Sequence, residues 1–139
     1  MFTLLALLFV VAFFLNILWE LWHSQLYETC RAMPLGRYVR LITVMSIKDA
    51  LWITLFYSVT VFLFHNTAIF EKPPQFIAFL SFALVFSFID EKISLARGRW
   101  HYAKEMPTIF GVGITPLFEV AVTGTASFII ASWFIVVRL

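Results

Sequence analysis

The stretch from Phe2 to Trp22 reads FTLLALLFVVAFFLNILWELW, and it decides the fold class. Its only strongly polar residues are Asn16 and Glu20. A hydrocarbon core about 30 Å thick is crossed by about 20 apolar residues in an α-helix. The run has this length, so it predicts a membrane-spanning helix. No Lys or Arg precedes the run, and it is longer than the apolar region of a typical secretory signal, so we expect the helix to be retained.

The composition extends this prediction to the rest of the chain. Of the 139 residues, 62% are hydrophobic, 13% are charged and 17 are Phe. A soluble domain of this size could not bury so much apolar surface. We therefore predict an all-α integral membrane protein, a four-helix transmembrane bundle that forms a single domain. The four helices are expected at about 2–32, 40–66, 74–96 and 115–138.

The start of the second helix has two interpretations. Ser46-Ile47-Lys48-Asp49 has the pattern of a capping box, with Asp49 in place of the usual Glu, and would put Asp49 at the membrane surface. If the helix begins near Arg40 instead, Asp49 lies about 14 Å inside it, at a rise of about 1.5 Å per residue. The second interpretation would favour a functional role for Asp49.

The fourth helix has clearer signals at its start. Thr115 suits the N-cap position and Pro116 suits the first helical position. Gly111-Val112-Gly113, directly before it, predicts irregular backbone, which at membrane depth is tolerated only inside protein or beside water. The small residues at 123–127 predict the close approach of a neighbouring helix.

Lys and Arg predict the orientation, because cytoplasmic loops of inner-membrane proteins carry an excess of both. The first loop with its helix flanks holds four of these residues, Arg31, Arg37, Arg40 and Lys48, and the second loop holds only Lys72. The third loop again holds four, Lys92, Arg97, Arg99 and Lys104, and the C-terminal segment holds Arg138. We predict cytoplasmic first and third loops, external termini and a location in a cell inner membrane.

This topology brings a carboxylate from every helix to the cytoplasmic side: Glu20, Asp49, Asp90 with Glu91, and Glu119. On the first helix, Asn16, Glu20, His23 and Tyr27 recur at steps of four, three and four residues. At 100° per residue they fall within about 60° of arc, which is one stripe on one face. Charged groups in a bilayer normally face the bundle interior, so the stripe is expected to point inward.

The leading functional hypothesis is a small membrane enzyme that acts on a lipid-like or isoprenoid substrate at the cytoplasmic face. Carboxylates and a His held together in low dielectric can divide the roles of acid and base. The predicted catalytic residues are Glu20, His23, Asp49, Asp90 and Glu119. Asn16 and Tyr27 would orient the members on the first helix through hydrogen bonds.

The string Arg-Gly-Arg-Trp-His-Tyr at 97–102 is a candidate for substrate binding. Arginine forks suit phosphate or carboxylate groups, so Arg97 and Arg99 would hold an anionic head group. Trp100 and Tyr102 suit the membrane interface. The alternative interpretation of the string is a positively charged anchor with an aromatic belt.

A divalent metal is the second hypothesis for the cluster. Glu20-x-x-His23 has the spacing found in carboxylate-bridged di-metal bundles, although those bundles contain a second Glu-x-x-His and this sequence has none. The predicted ligands are Glu20, His23, Asp90 and Glu91.

The non-catalytic alternatives are a proton- or ion-coupled transport subunit and a structural or assembly partner. Intramembrane Asp, Glu and His can relay protons, and interhelical hydrogen bonds also stabilise bundles by about 0.6 to 2 kcal/mol each. Membrane lipid is the expected partner, together with a second copy or another membrane protein. The net charge of +2 is too small to favour nucleic acid. Cys30, the single cysteine, is expected simply to pack.

Overall fold

The structure is a computed structural model that describes residues 2–136, and it is mostly helical. The helices are α1 (Phe2–His23), a 3₁₀ turn (Ser24–Leu26), α2 (Glu28–Arg31), α3 (Leu35–Phe64), α4 (Pro73–Ala96) and α5 (Ile114–Val136). A small antiparallel hairpin, β1 (Thr108–Ile109) and β2 (Val112–Gly113), precedes α5. The predicted end of the last helix at 138 and Arg138 lie outside the described residues.

Three helical segments are long and apolar enough to cross a membrane: Phe2–Leu26, Leu35–Phe64 and Ile114–Phe134. The chain is thus mostly helical, and these three candidate spans support a membrane location. The fourth long helix, α4, packs against α3 and α5, and α1 also packs against both of them. The buried centre of this arrangement is apolar, with Leu8, Ala50, Ile53, Phe79 and Phe128 among its members.

Gly124 sets the distance between α5 and its neighbours. A Cβ at this position would lie 2.5 Å from Phe79 Cζ and 3.4 Å from Ile53 Cγ1. Only a glycine lets the Phe79 ring of α4 reach the α5 backbone so closely. The close helix approach predicted from the small residues at 123–127 is confirmed here.

The first helix ends earlier than the sequence pattern predicts, at His23 instead of near residue 32. After the 3₁₀ turn, Tyr27 is extended, with φ −113° and ψ 122°, and it pairs with Tyr102 in an isolated antiparallel bridge. Ala103 N donates to Leu26 O at 2.8 Å, and Glu28 N donates to His101 O at 3.0 Å. The α-helix stops because the third loop supplies these backbone partners.

The second long helix begins at Leu35, directly after Pro34, which is earlier than both predicted starts. Asp49 therefore lies about 21 Å along α3, at a rise of about 1.5 Å per residue, and it is 5% exposed. The interpretation in which Asp49 lies inside the helix is confirmed.

The irregular backbone predicted at 111–113 is the end of the hairpin. Its two-residue turn consists of Phe110 and Gly111, with φ of 51° and 73°. Positive φ at both positions is typical of a type I′ turn, which matches the twist of the flanking strands. Val112 is buried behind the turn, and α5 starts at Ile114, one residue before the predicted cap.

Candidate functional site

The first and third loops lie at the same end of the molecule, where they join through backbone hydrogen bonds. His101 N donates to Thr29 Oγ1 at 2.9 Å, and Arg31 pairs with Glu105 at 3.3 Å on the exposed side of this contact. Beneath the joined loops lies a cavity of about 60 Å³. At about 10–15 Å³ for each enclosed water, it has room for a few waters or one small polar group.

The cavity lining divides into a polar part and an apolar part. The polar part contains five carboxyl groups from all four long helices, Glu20, Asp49, Asp90, Glu91 and Glu119, together with Lys48 and His23. The apolar part includes Leu41, Ile42, Met45, Phe86 and Val120. All five predicted catalytic residues therefore meet in one place.

His23 lies between two carboxyl groups in the polar part. Its Nε2 is 3.0 Å from Glu20 Oε2 and 3.8 Å from Glu119 Oε2. The three side chains are at most 9% exposed. Glu20 and His23 belong to α1 and Glu119 belongs to α5, so the packing of these two helices completes the group.

Trp19 determines which nitrogen of His23 carries the hydrogen. Its indole Nε1 donates to His23 Nδ1 at 3.2 Å. An indole N–H can only donate, so Nδ1 acts as the acceptor and the hydrogen of the neutral ring lies on Nε2. His23 Nε2–H then donates to Glu20 Oε2.

This tautomer opposes metal binding at Nε2. Glu20, His23 and Glu119 offer ligand atoms that lie within 4.8 Å of one another, a spacing that a cation could bridge. However, a metal-ligating His donates its other ring N–H to an acceptor, and here the other nitrogen faces the indole donor. Of the predicted ligands, Asp90 and Glu91 also lie outside this group of three.

Glu119 has a carboxyl oxygen without a partner. Its Oε1 is buried and has no hydrogen-bond partner among residues 2–136. Thr123, one turn later, places its Oγ1 2.7 Å from Glu119 O and 3.1 Å from Asn16 Oδ1. Asn16 thus links α1 to α5 one turn away from the cavity, and its hydrogen bonds are with Ala12 O and Thr123 Oγ1 instead of with Glu20 or His23.

Glu91 is held by three aromatic donors. Tyr27 Oη, Trp100 Nε1 and Tyr102 Oη all donate to Glu91 Oε1, at 3.1, 3.1 and 2.6 Å. Burial raises the pKa of Tyr27 and of Tyr102 above the usual range of a phenol, and Glu91 raises both further, so both phenols remain protonated donors. Tyr102 Oη also accepts a hydrogen bond from Gly113 N at 2.8 Å, which ties the hairpin to this group.

Lys48 also lines the cavity, although the sequence did not predict it as a site residue. Its Nζ lies 2.8 Å from Asp90 Oδ2 and 3.8 Å from Asp49 Oδ1. Lys48 directly precedes Asp49 in the chain, and this adjacency was the available signal. The pair Lys48–Asp90 also joins α3 to α4 beside the cavity.

Arg97 and Arg99, the predicted head-group ligands, are exposed and lie outside the cavity. The cause is the end of α4. Gly98 has φ 63°, and Arg99 N donates to Ser94 O at 3.0 Å, which is the pattern of a Schellman motif. This turn directs the two arginines outward and brings Trp100 to the cavity wall. The exposed His101 also lies outside the cavity lining.

The chain was compared with known proteins. No protein-family model matches it, and neither a curated protein nor a solved structure is significantly similar to it.

Proposed function

We propose that the protein is a small membrane enzyme that performs acid–base chemistry on the polar end of a lipid-like or isoprenoid substrate. The observation that carries this proposal is the group formed by Glu20, His23 and Glu119. One imidazole N–H lies between two buried carboxyl groups, and one carboxyl oxygen, Glu119 Oε1, is left without a partner by residues 2–136. An unsatisfied buried acceptor costs about 1–3 kcal/mol, so its retention favours a role in binding or catalysis.

In this proposal the two carboxyl groups have different roles. His23 Nε2–H donates to Glu20 Oε2, so Glu20 is assigned as the base. Glu119 Oε1 receives no hydrogen bond from residues 2–136, and Glu119 is assigned as the acid. Glu119 gives a proton to one substrate atom and Glu20 removes a proton from another. The proton then returns from Glu20 to Glu119, which restores the site.

The apolar part of the cavity supports a lipid-like substrate. Leu41, Met45 and Val120 line the same space as the carboxyl groups. A cavity of about 60 Å³ takes only the polar end of such a molecule. The hydrocarbon chain would remain outside, along these apolar side chains and the surrounding lipid.

The proposed setting is a four-helix transmembrane bundle in a cell inner membrane, with α4 as the fourth crossing. This is supported by contacts at both ends of α4. Lys48 of α3 pairs with Asp90 near one end, and Gln75 Nε2 donates to Asn66 O at 2.8 Å near the other. An α4 that runs antiparallel to the apolar helix α3 over this length spans the same layer. The charge distribution favours cytoplasmic first and third loops and external termini.

The test of this proposal is lipid turnover by the purified protein in vesicles made from a total lipid extract, followed by mass spectrometry. Glu119→Gln keeps the shape of the side chain and removes the acid. We expect it to lower the rate about 10²- to 10⁴-fold, the usual contribution of a general acid. The matched control is Glu105→Gln, because Glu105 is exposed and pairs with Arg31 outside the cavity.

Equal turnover by Glu119→Gln and wild type would contradict the proposal, provided that circular dichroism shows both to be folded. Absence of turnover by the wild type on every lipid class would favour the rival functions. These are a proton- or ion-coupled transport subunit and an assembly partner.

A further inference from the structure

The cavity contains more acidic than basic groups. Five carboxyl groups line it, and Lys48 is the one Lys or Arg in its lining within residues 2–136. Lys48 is already engaged by Asp90 at 2.8 Å and lies 3.8 Å from Asp49. The remaining three carboxyl groups, on Glu20, Glu91 and Glu119, receive hydrogen bonds only from neutral groups or from none in the described part of the chain. Several ionised carboxylates this close in a low dielectric repel one another unless a cation or protons enter.

Two buried oxygen atoms in the lining also lack a partner. Glu119 Oε1 and Ser87 Oγ are both without a hydrogen bond to any residue in 2–136. Both side chains are 5% exposed, and both residues line the cavity. A ligand that carries several N–H donors on one atom would satisfy both oxygens.

The cavity wall adds aromatic surface near the carboxyl groups. Tyr27 and Trp100 line the cavity with their ring centroids 6.0 Å apart and an interplanar angle of 83°, and Phe86 lines it as well. Aromatic faces attract organic cations by about 0.5–2 kcal/mol each, and Trp does so best.

An anionic head group is disfavoured by the same geometry. Arg97 and Arg99, the arginines that the sequence offered for such a group, are exposed and lie outside the cavity. An anion would enter a space in which five carboxyl groups face a single ammonium group. A metal ion is disfavoured because Trp19 directs its N–H to the second nitrogen of His23.

We propose that the polar end of the ligand is a protonated amine, which enters between Glu20, Glu91 and Glu119 and donates to Glu119 and Ser87. The assignment of this ligand as a substrate rests on the proposed function. An ammonium group with its first methylene is small enough for a cavity of about 60 Å³. The remaining hydrocarbon would lie along the apolar part of the lining.

Isothermal titration calorimetry of the full chain in a non-ionic detergent tests this proposal, with hexylammonium, hexyl phosphate and hexanol as probes. The three probes share a hexyl chain. Hexanol, which is uncharged, therefore measures the heat that the chain alone contributes, including its partition into the micelle. We expect hexylammonium to bind the wild type at least about tenfold more tightly than hexanol or hexyl phosphate. Equal or tighter binding of hexyl phosphate would overturn the proposal, as would hexylammonium binding no better than hexanol.

Two variants locate the binding. Glu20→Gln should weaken hexylammonium binding at least about tenfold, since it removes the carboxylate that is assigned as the base and lines the cavity beside the ammonium group. Trp100→Leu should weaken it by about 2- to 30-fold, which is the cation–π contribution of about 0.5–2 kcal/mol. Arg97→Gln, outside the cavity, should bind as the wild type does. Unchanged affinity in Glu20→Gln would overturn the proposal even if the other two variants behaved as expected.

The binding experiment and the turnover experiment test the ligand assignment and the proposed function separately. Amine binding without turnover of any lipid would leave the ligand assignment intact and contradict the enzyme. Turnover of lipids without amine selectivity would leave the enzyme intact and contradict the ligand assignment.

Discussion

Trp19 and His23 are one helical turn apart on α1, and their contact decides the chemistry available to the site. A sequence with Trp four residues before a His in a helix offers this contact, but only the observed rotamers show that the indole reaches Nδ1. Helical spacing predicted that Glu20 and His23 share one face, and the structure brings their side chains to within 3.0 Å of each other. The sequence could not show that Glu91 is held by Tyr27, Trp100 and Tyr102, since those contacts depend on how two loops meet.

The contact of Trp19 with His23 can be tested by the tautomer and by metal affinity. In Trp19→Phe the indole donor is lost, so Nδ1 can carry the hydrogen and Nε2 becomes free to bind a metal together with Glu20 and Glu119. We expect Co²⁺ affinity to rise at least about tenfold. The ¹⁵N chemical shifts of His23 should also move from the form protonated at Nε2 towards a mixture.

Trp22→Phe is the matched control for this prediction, because Trp22 is 60% exposed and packs edge-on against Trp19 at 5.5 Å between ring centroids. It should leave both readouts at the wild-type values. Tight Co²⁺ binding by the wild type would show that Trp19 does not exclude the metal.

Among the elements, the helix ends depart most from the sequence prediction. Apolar periodicity gave the existence of all four long helices, because each must present apolar side chains to lipid or to its neighbours. It extended the first helix too far, because Leu26 and Glu28 form their backbone hydrogen bonds with the third loop. Such partners are distant in sequence and leave no periodic signal. Arg97 and Arg99 were predicted to bind the substrate, but the chain reverses at Gly98 and directs them outward. This reversal also leaves no periodic signal in the sequence.

The packing of α5 against α4 depends on Gly124. In Gly124→Ala the new methyl group would lie 2.5 Å from Phe79 Cζ, and Phe79 is fully buried against Phe128. We expect a loss of about 1–3 kcal/mol in the free energy of unfolding from overpacking. This exceeds the gain of up to about 1 kcal/mol that Ala provides inside a helix. Thermal unfolding in detergent, followed by circular dichroism, measures the change.

Gly36→Ala is the control for the intrinsic effect of adding a methyl group to a helix. A Cβ at Gly36 meets no heavy atom within 4 Å in the described part of the chain, and Gly36 lies in the first turn of α3. This variant should be as stable as the wild type or up to about 1 kcal/mol more stable. An equally stable Gly124→Ala would mean that α4 and α5 are not in close contact there.

For the whole molecule, the joined first and third loops place most of the basic residues at one end. The side of the membrane on which these loops lie can be determined by chemical labelling of Cys30, the single cysteine, which lies in α2 of the first loop. Burial, and the negative charge of Glu20, raise the pKa of the Cys30 thiol. The thiolate is the reactive form, so the rate of maleimide labelling should be slow near neutral pH. It should continue to rise at pH values where an ordinary thiol, with a pKa of about 8.5, levels off.

A membrane-impermeant maleimide should label Cys30 in inverted vesicles and leave it unlabelled in intact cells. The control combines Cys30→Ser with Glu71→Cys, because Glu71 is exposed in the loop between α3 and α4. That variant should be labelled from outside. Labelling of Cys30 from outside would reverse the predicted orientation of every loop.

The contact between α1 and α5 also has a consequence for biosynthesis. Thr123 and Asn16 are 107 residues apart, and His23 meets Glu119 across the same interface. A nascent chain inserts α1 first, and Glu20 then remains in the bilayer without its final surroundings until the ribosome has released α5. During that interval the polar stripe of α1 is available to other polar helices in the membrane. This arrangement is therefore completed only after α5 has been synthesised, and a chain that stalls before α5 would be a substrate for membrane quality control.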